Sequence, residues 1–260
     1  MLAAFSVLYW AFIVLTMPLF FLVALAVFAV TWPFDRRRVA LHLFSCAWAS
    51  FYVHMNPLWR NEVRGRERLP WRAPAVIIAN HLSMIDILVL YGLYRPFKWV
   101  SKESLFHVPF LGWNMVLNGY VPLRRGATES IRRMYARCAE LLAQGSPILL
   151  FPEGTRSASG ALQPFKDGAF RLAVEAGVPV IPVAIRGTWD TLPKHGLVLR
   201  NRMDAVVEVL EPLDPERFPS HDELRDAARA AIESALARIA AERTGRQRPA
   251  RAPPGSPPQA

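Results

Sequence analysis

The sequence predicts an α/β fold, in which a central mixed sheet is flanked by helices and preceded by an N-terminal membrane-anchoring helical segment. Two features predict it. From residue 75 onward, short apolar runs with β-branched residues alternate with helical patterns, which is typical of a sheet covered by helices. Before that, the first 34 residues contain no Asp, Glu, Lys or Arg, which is typical of a membrane-embedded segment.

Composition narrows the possible functions. A chain of 260 residues is long enough for one substantial domain with appendages. Its formal net charge of +10 favours an anionic partner, either nucleic acid or the anionic headgroups of a bilayer. The apolar N-terminus favours the bilayer and argues against nucleic acid. The two cysteines, Cys46 and Cys138, have no metal-ligand spacing, and we interpret both as reduced packing residues.

Residues 1–34 form the first part of the predicted anchor. One helix of that length would measure about 51 Å, against a hydrocarbon core of roughly 30 Å, and Pro18 is expected to kink or break it. Two arrangements fit this length and the proline: one tilted transmembrane helix, or two short helices that enter only one leaflet. Arg36, Arg37 and Arg38 follow directly. The positive-inside rule therefore predicts an inner-membrane protein whose main domain lies on the cytoplasmic face.

Residues 39–59 form the second part of the predicted anchor. They lack Lys, Arg, Asp and Glu and carry apolar residues at helical spacing, which favours an interfacial helix; a transmembrane hairpin is the alternative. The arginines from Arg60 to Arg72 are predicted to face anionic headgroups. The chain thus divides into anchoring helices (1–59), an α/β domain (60–243) and a disordered Arg/Pro-rich tail (244–260).

Local patterns predict the elements of the α/β domain. Thr128 is expected to cap a helix that ends at Gly145, and Gly177 to end a helix that begins near Asp167. A capping box at Ser220 is expected to begin a C-terminal helix. Six strands are predicted, at residues 75–79, 98–101, 120–123, 147–151, 180–185 and 205–210.

The first candidate site follows the strand at residues 75–79. Neutral imidazole is a competent general base, so His81 is a candidate base, and Asp86 is a candidate for fixing its tautomer and stabilising the imidazolium. Five residues on a regular helix differ by about 140°, so the two side chains meet only if His81 lies on the turn and Asp86 in the first helical turn. Ser83-Met84-Ile85-Asp86 is also a capping-box pattern, and both roles can hold together.

The second candidate site follows the strand at residues 147–151. Gly154 permits a tight turn whose backbone N–H groups can face an anion, and Arg156 offers a planar fork that matches phosphate. Glu153 is assigned to orienting a basic side chain or a substrate hydroxyl. A surface turn with solvated charges is the alternative interpretation. Lys102 and Arg125 follow two other predicted strands and are candidates for the same anion.

These motifs occur together in a known family: the chain resembles the 1-acyl-sn-glycerol-3-phosphate acyltransferases, within the wider glycerolipid acyltransferase group. The resemblance covers roughly residues 64–210. The family's second block is matched here by Gly119 to Arg125. It departs from the family pattern at Pro122 and at Arg124, where an acidic residue is common, so Arg125 is taken as the arginine of this block. The matching blocks are Asn80-His81 with Asp86, Gly119 to Arg125, Phe151 to Ser157 with Phe165-Lys166-Asp167-Gly168, and Val178 to Val183.

The resemblance implies an enzyme of phospholipid biosynthesis. It would transfer an acyl chain from acyl-CoA or acyl-carrier protein to the sn-2 hydroxyl of 1-acyl-sn-glycerol-3-phosphate (lysophosphatidic acid), giving phosphatidic acid without a cofactor or metal. His81 and Asp86 would be catalytic. The residues implied in substrate binding are Lys102, Arg125, Glu153, Gly154 and Arg156.

Two alternatives to this activity stand. The nearer one is an acyltransferase of the same group with another lysolipid acceptor, such as a lysophospholipid or a lyso-ornithine lipid. The more distant one is a non-catalytic membrane lipid-binding protein. A Gly-x-Ser-x-Gly elbow is lacking and neither cysteine stands beside a histidine in the sequence, which favours direct transfer over an acyl-enzyme.

Overall fold

A computed structural model describes residues 2–192, 196–200 and 202–247. Seven strands and seven α-helices occur within these ranges. The strands are β1 (Trp59–Arg64), β2 (Val76–Ala79), β3 (Lys98–Lys102), β4 (Val121–Leu123), β5 (Ile148–Leu150), β6 (Val180–Arg186) and β7 (Met203–Val209). The helices are α1 (Leu2–Thr31), α2 (Val39–Met55), α3 (Ile85–Tyr91), α4 (Leu111–Leu117), α5 (Thr128–Ala143), α6 (Gly168–Ala176) and α7 (His221–Gln247).

The strands form one mixed sheet in the order β1-β7-β6-β2-β5-β3-β4, which confirms the predicted fold class. β2 to β6 run parallel to one another, β7 is antiparallel to β6, and β1 is parallel to β7. The carboxyl ends of the five parallel strands therefore lie together, at what we call the carboxyl end of the sheet. The opposite end is the amino end.

Apolar side chains cover both faces of the sheet. Successive residues of a strand point to opposite faces, and β2 follows this rule: Ile77 and Ala79 belong to one apolar core, Val76 and Ile78 to the other. All four are buried. The first core also receives α1, α2 and α3, and the second receives α5, α6 and α7. β2 is thus held rigidly at the centre of the molecule.

β1 lies in a segment that the sequence assigns to headgroup binding, and this assignment is wrong for three of its arginines. Trp59 is buried, and three of the arginines that follow bind acceptors within the protein. β1 was not predicted as a strand, because it carries charged residues, which an edge strand can expose to water. The contacts are Arg64 with Glu62 and Glu242, Arg66 with the carbonyl of Gly92, and Arg68 with Glu211.

α1 is one helix of 30 residues, so Pro18 does not break it. Contacts with α2 hold it on both sides of the proline, because Phe12 and Phe20 both pack against Tyr52. Large apolar side chains such as Leu8 and Leu15 are exposed along it. Within the described residues α1 alone is long and apolar enough to cross a membrane.

α2 is about half-buried within the protein, and its position at the membrane interface stays a prediction. It packs between α1 and α3, and nine of its 17 residues are buried. Its polar residues have partners inside the protein: His42 Nδ1 lies 2.8 Å from the Tyr120 hydroxyl, and Asn114 donates to Ser45 Oγ at 3.1 Å. Three residues of the apolar stripe, Leu41, Trp48 and Tyr52, therefore pack inside the protein. Phe51 and Met55 of the same stripe are exposed.

The remaining helices mostly follow their predicted signals. Ser220 Oγ accepts the N–H of Glu223 at 3.2 Å, as its capping box requires. Thr128 is the first residue of α5 and makes no capping bond, so that prediction is wrong. α7 extends through Gln247, which contradicts disorder at residues 244–247; the rest of the predicted tail lies outside the described residues. The domain boundary at residue 59 stays a prediction.

Candidate active site

The topology brings four predicted site segments to the carboxyl end of the sheet. β2, β5, β3 and β4 are consecutive neighbours and run parallel. His81 follows β2, Glu153 follows β5, Lys102 ends β3 and Arg125 follows β4. Sites in open α/β sheets form at this end, because the loops that leave parallel strands converge there.

Asn80 determines how the chain leaves β2. Its side chain forms two hydrogen bonds with the backbone of Ile185 in β6: Nδ2 donates to the carbonyl at 2.9 Å, and Oδ1 accepts the N–H at 2.7 Å. The amide thus continues the ladder between β2 and β6 for one residue while the backbone turns away. His81 is the first residue beyond this anchored point.

His81 and Asp86 meet in the way the spacing allows. His81 lies on the turn, Asp86 lies in the first turn of α3, and His81 Nδ1 is 2.8 Å from Asp86 Oδ2. Because a carboxylate only accepts, Nδ1 carries the proton and Nε2 keeps its lone pair. The side chain of His81 is 10% exposed and that of Asp86 is fully buried. This arrangement has the geometry that a histidine base with an orienting carboxylate requires.

Asp86 also has the structural role that its capping-box pattern predicts. Its Oδ2 accepts the N–H groups of Leu82 and Ser83 at 2.6 and 2.8 Å, in addition to the His81 bond. Its Oδ1 accepts the hydroxyl of Thr188 at 2.5 Å. Four donors therefore hold one buried carboxylate. The capping role of Asp86 is observed together with its contact to His81, and its catalytic role stays a prediction.

Thr188 is a residue that sequence reasoning missed. It is fully buried and follows β6 by two positions. Its separation from Asp86 is 102 residues, and no local pattern connects the two. A parallel arrangement of β6 and β2 would have placed Thr188 near Asp86, because the residues after two parallel strands lie at the same end of the sheet.

Phe151 and Glu153 hold His81 from the neighbouring strand. The Phe151 ring stacks on the imidazole with centroids 3.9 Å apart and planes inclined by 9°. Glu153 Oε1 accepts the backbone N–H of His81 at 2.6 Å, and Oε2 accepts that of Gln163 at 3.0 Å. Burial raises the pKa of Glu153 to about 7, although these two N–H groups oppose the rise. Glu153 thus connects the turn after β5 to the turn after β2 that carries His81.

Gly154 forms the tight turn that its sequence context predicts. Its φ is +71°, a value that favours glycine, and its N–H bonds to the Phe151 carbonyl at 3.1 Å rather than pointing away from the turn. A Cβ at this position would come within 3.0–3.1 Å of the end of Lys166. Lys166, which sequence reasoning did not select, is therefore a cation beside the turn. Arg156 is half-buried two residues further on.

The two arginines after β4 differ in their surroundings. Arg124 pairs with Glu103 at 2.7 Å. Arg125 is exposed, and no ion pair involves it within the part of the chain that the structure describes. Lys102 is exposed on the adjacent strand, where it is in register with Leu123. Arg125 is thus better placed than Arg124 to bind an external anion.

A cavity of about 220 Å³ lies beside the histidine turn. Met84 and Ile85, which directly follow that turn, form part of its wall, together with side chains of α1, α2, α4 and the end of β3. The walls are almost entirely apolar, with Trp48, Leu88 and Met115 among them. Such a cavity suits a hydrocarbon chain.

One cluster has the composition of a metal site. Asp167, His221 and Asp222 place ligand atoms within 4.8 Å of one another. Arg225 pairs with both aspartates, so a guanidinium already neutralises them. None of the three belongs to the candidate site described above.

Comparisons with known proteins identify the family of the chain. The family profile described as Acyltransferase matches residues 60–186. A 1-acyl-sn-glycerol-3-phosphate acyltransferase of Chlamydomonas reinhardtii is 39% identical over 230 residues, which are 87% of this chain and 67% of that relative. A chloroplastic enzyme of the same name from Brassica napus is 38% identical, with 69% of this chain and 52% of the relative covered.

A solved structure agrees as well. The crystal structure of the 1-acyl-sn-glycerophosphate acyltransferase PlsC from Thermotoga maritima is similar with a TM-score of 0.74 and 25% identity, over 92% of this chain and 96% of that one. The fold is therefore that of an acyltransferase, and the residues matched by the family profile include His81 and Asp86. This chain belongs to the 1-acyl-sn-glycerol-3-phosphate acyltransferase family.

Proposed function

We propose that this acyltransferase moves an acyl chain from a thioester, acyl-CoA or acyl-carrier protein, to the sn-2 hydroxyl of lysophosphatidic acid. The observation that carries the proposal is the His81–Asp86 pair at the carboxyl end of the sheet, with the lone pair of His81 Nε2 available. Family membership supports the choice of acceptor.

The reaction follows from the geometry of the pair. His81 Nε2 takes the proton of the acceptor hydroxyl as its oxygen attacks the thioester carbonyl carbon. Asp86 stabilises the imidazolium through Nδ1. The tetrahedral intermediate then collapses, the C–S bond breaks, and the imidazolium returns the proton to the leaving thiolate. Lys102 is our candidate for stabilising the oxyanion, a contribution typically worth about 3 kcal/mol. No cofactor or metal enters this scheme.

The acceptor phosphate is assigned to the cations around the turn. Arg125 and Arg156 would bind the phosphate oxygens. Gly154 has no Cβ, which allows the end of Lys166 to lie close to the turn. Glu153 has both carboxylate oxygens on backbone N–H groups. We therefore assign it to positioning His81, which is a narrower role than the direct substrate contact predicted from the sequence.

The apolar cavity and α1 suit the binding of a lipid substrate. An acyl chain in the 220 Å³ cavity would gain about 0.8 kcal/mol for each buried methylene. α1 and α2 line this cavity, so the membrane-associated part of the chain and the acyl site are contiguous. We propose that the protein lies on the cytoplasmic face of the inner membrane, from which the acceptor enters.

The test is acyl transfer by the purified full-length protein from oleoyl-CoA, and separately from oleoyl-acyl-carrier protein, to lysophosphatidic acid. The wild type is expected to form phosphatidic acid, and His81→Ala to lose at least a hundred-fold in kcat while its unfolding midpoint is retained. Product with another lysolipid but none with lysophosphatidic acid would overturn the acceptor assignment. Equal rates in wild type and variant would overturn the mechanism.

A further inference from the structure

A second cleft lies where α1 turns into α2, far from the histidine. It has a volume of about 570 Å³, and its walls include Phe34, Asp35, Arg36, Arg37, Trp71 and Arg72. Lys98, the first residue of β3, donates to the Arg37 carbonyl at 2.7 Å. The cleft is therefore at the amino end of the sheet, whereas His81 is at the carboxyl end.

The charges around this cleft are unbalanced. Arg36, Arg37 and Arg72 contribute three guanidinium groups, and Asp35 contributes one carboxylate. Asp35 Oδ2 already accepts the Ala40 N–H at 2.7 Å, which ties it to the start of α2. Among the described residues no carboxylate lies within ion-pair distance of these three arginines. The arginines after β1 differ, since Arg64 and Arg68 are both paired.

The fold holds these like charges together. Arg37 donates to the Trp71 carbonyl at 3.3 Å, while its buried Nε has no hydrogen-bond partner among the described residues. Burial lowers the pKa of Arg37, Asp35 raises it and Arg72 lowers it again. Cationic groups in this arrangement repel one another, and a bound anion would offset that repulsion.

The rim of the cleft has the composition of a membrane interface. Phe34 and Trp71, which line the cleft, are 74% and 47% exposed. Trp32, which lies between α1 and Phe34 in the chain, is 58% exposed. The Arg95 guanidinium lies over the Trp71 ring, 4.6 Å from its centroid. Tryptophan beside arginine is favoured at the headgroup level of a bilayer.

We propose that this cleft binds the phosphate of an anionic phospholipid of the surrounding bilayer, at a site separate from that of the reacting acceptor. The guanidinium groups bind the phosphate oxygens, and the aromatic rim contacts the glycerol and the first methylenes. The bound lipid is not consumed. It fixes the α1–α2 turn at headgroup depth, which orients the protein on the membrane independently of catalysis.

The test uses the full-length protein in a neutral detergent. Dihexanoylphosphatidylglycerol is titrated while the unfolding midpoint is followed, with dihexanoylphosphatidylcholine and inorganic phosphate as parallel titrations. At ten times its Kd the anionic lipid is expected to raise the midpoint by about 3 °C. In Arg36→Gln/Arg72→Gln the rise is expected to fall below about 1 °C, with acyl transfer in micelles unchanged.

A matched variant controls for net charge. Arg133→Gln/Arg217→Gln removes the same two charges from exposed positions elsewhere and is expected to respond like the wild type. An equal rise in all three proteins overturns the proposal, and so does an equal effect of the zwitterionic lipid. An equal effect of inorganic phosphate overturns the assignment to a lipid. If the double variant does not fold, Arg72→Gln alone must weaken lipid binding at least three-fold.

Discussion

The hydroxyl of Thr188 is predicted to be essential for the catalytic pair, although the residue does not reach the substrate. It donates to Asp86 Oδ1 at 2.5 Å, and both residues are fully buried. Thr188→Val keeps the shape of the side chain and removes only this donor. Asp86 then has three donors instead of four, and its Oδ1 is left without a partner in an apolar environment.

The expected magnitude follows from the type of bond. A hydrogen bond to a charged group contributes about 1.5–3 kcal/mol. If the carboxylate then holds the imidazolium less well in the transition state, kcat falls by about ten- to a hundred-fold. The KM for lysophosphatidic acid is expected to stay within about two-fold, because Thr188 contributes nothing to the proposed phosphate seat.

The assay is steady-state acyl transfer by wild type, Thr188→Val and Thr188→Ser, alongside their unfolding midpoints. The serine variant retains the hydroxyl and is expected to recover most of kcat. The reasoning is refuted if the valine variant keeps more than half of the wild-type kcat. It is also refuted if serine and valine are equally impaired, because the loss then arises from packing.

Three further predictions concern stability and the turn. Burial raises the pKa of Glu153 to about 7. Its contribution to the free energy of unfolding is therefore present below about pH 4.5 and is lost as pH rises through 7, a decline of at most about 3 kcal/mol. Glu153→Gln should abolish this decline in denaturant titrations. Burial, aided by Arg38, lowers the pKa of Lys98 to about 7. The free energy of unfolding should therefore rise between pH 7 and 10.5. A Lys98→Met variant whose free energy of unfolding rises equally steeply with pH would contradict this. Gly154→Ala should lower the unfolding free energy by about 1–2 kcal/mol because φ is +71°, whereas an unchanged urea midpoint would show that the turn relaxes.

Local patterns predicted most of the sheet. The six predicted strands correspond to β2 through β7, with ends displaced by a few residues. These strands are apolar, and most are buried on both faces, so hydrophobicity alone marks them. β1 was not predicted, because Arg60 and Arg64 are typical of a surface segment and Glu242, a partner of Arg64, is far away in the sequence.

The sequence by itself determined the fold class and the family, because these depend on residue types within a short window or on blocks in a known order. It also proposed the pairing of His81 with Asp86, on the condition that His81 lies on the turn. Tertiary structure alone decided that α2 is about half-buried, that Thr188 completes the set of donors to Asp86, and that Arg36 and Arg72 share a cleft. Thr188 and Asp86 are 102 residues apart in the chain, and the parallel pairing of β6 with β2 brings the ends of these two strands together. Arg36 and Arg72 meet because the turn between α1 and α2 packs against the segment that precedes β2.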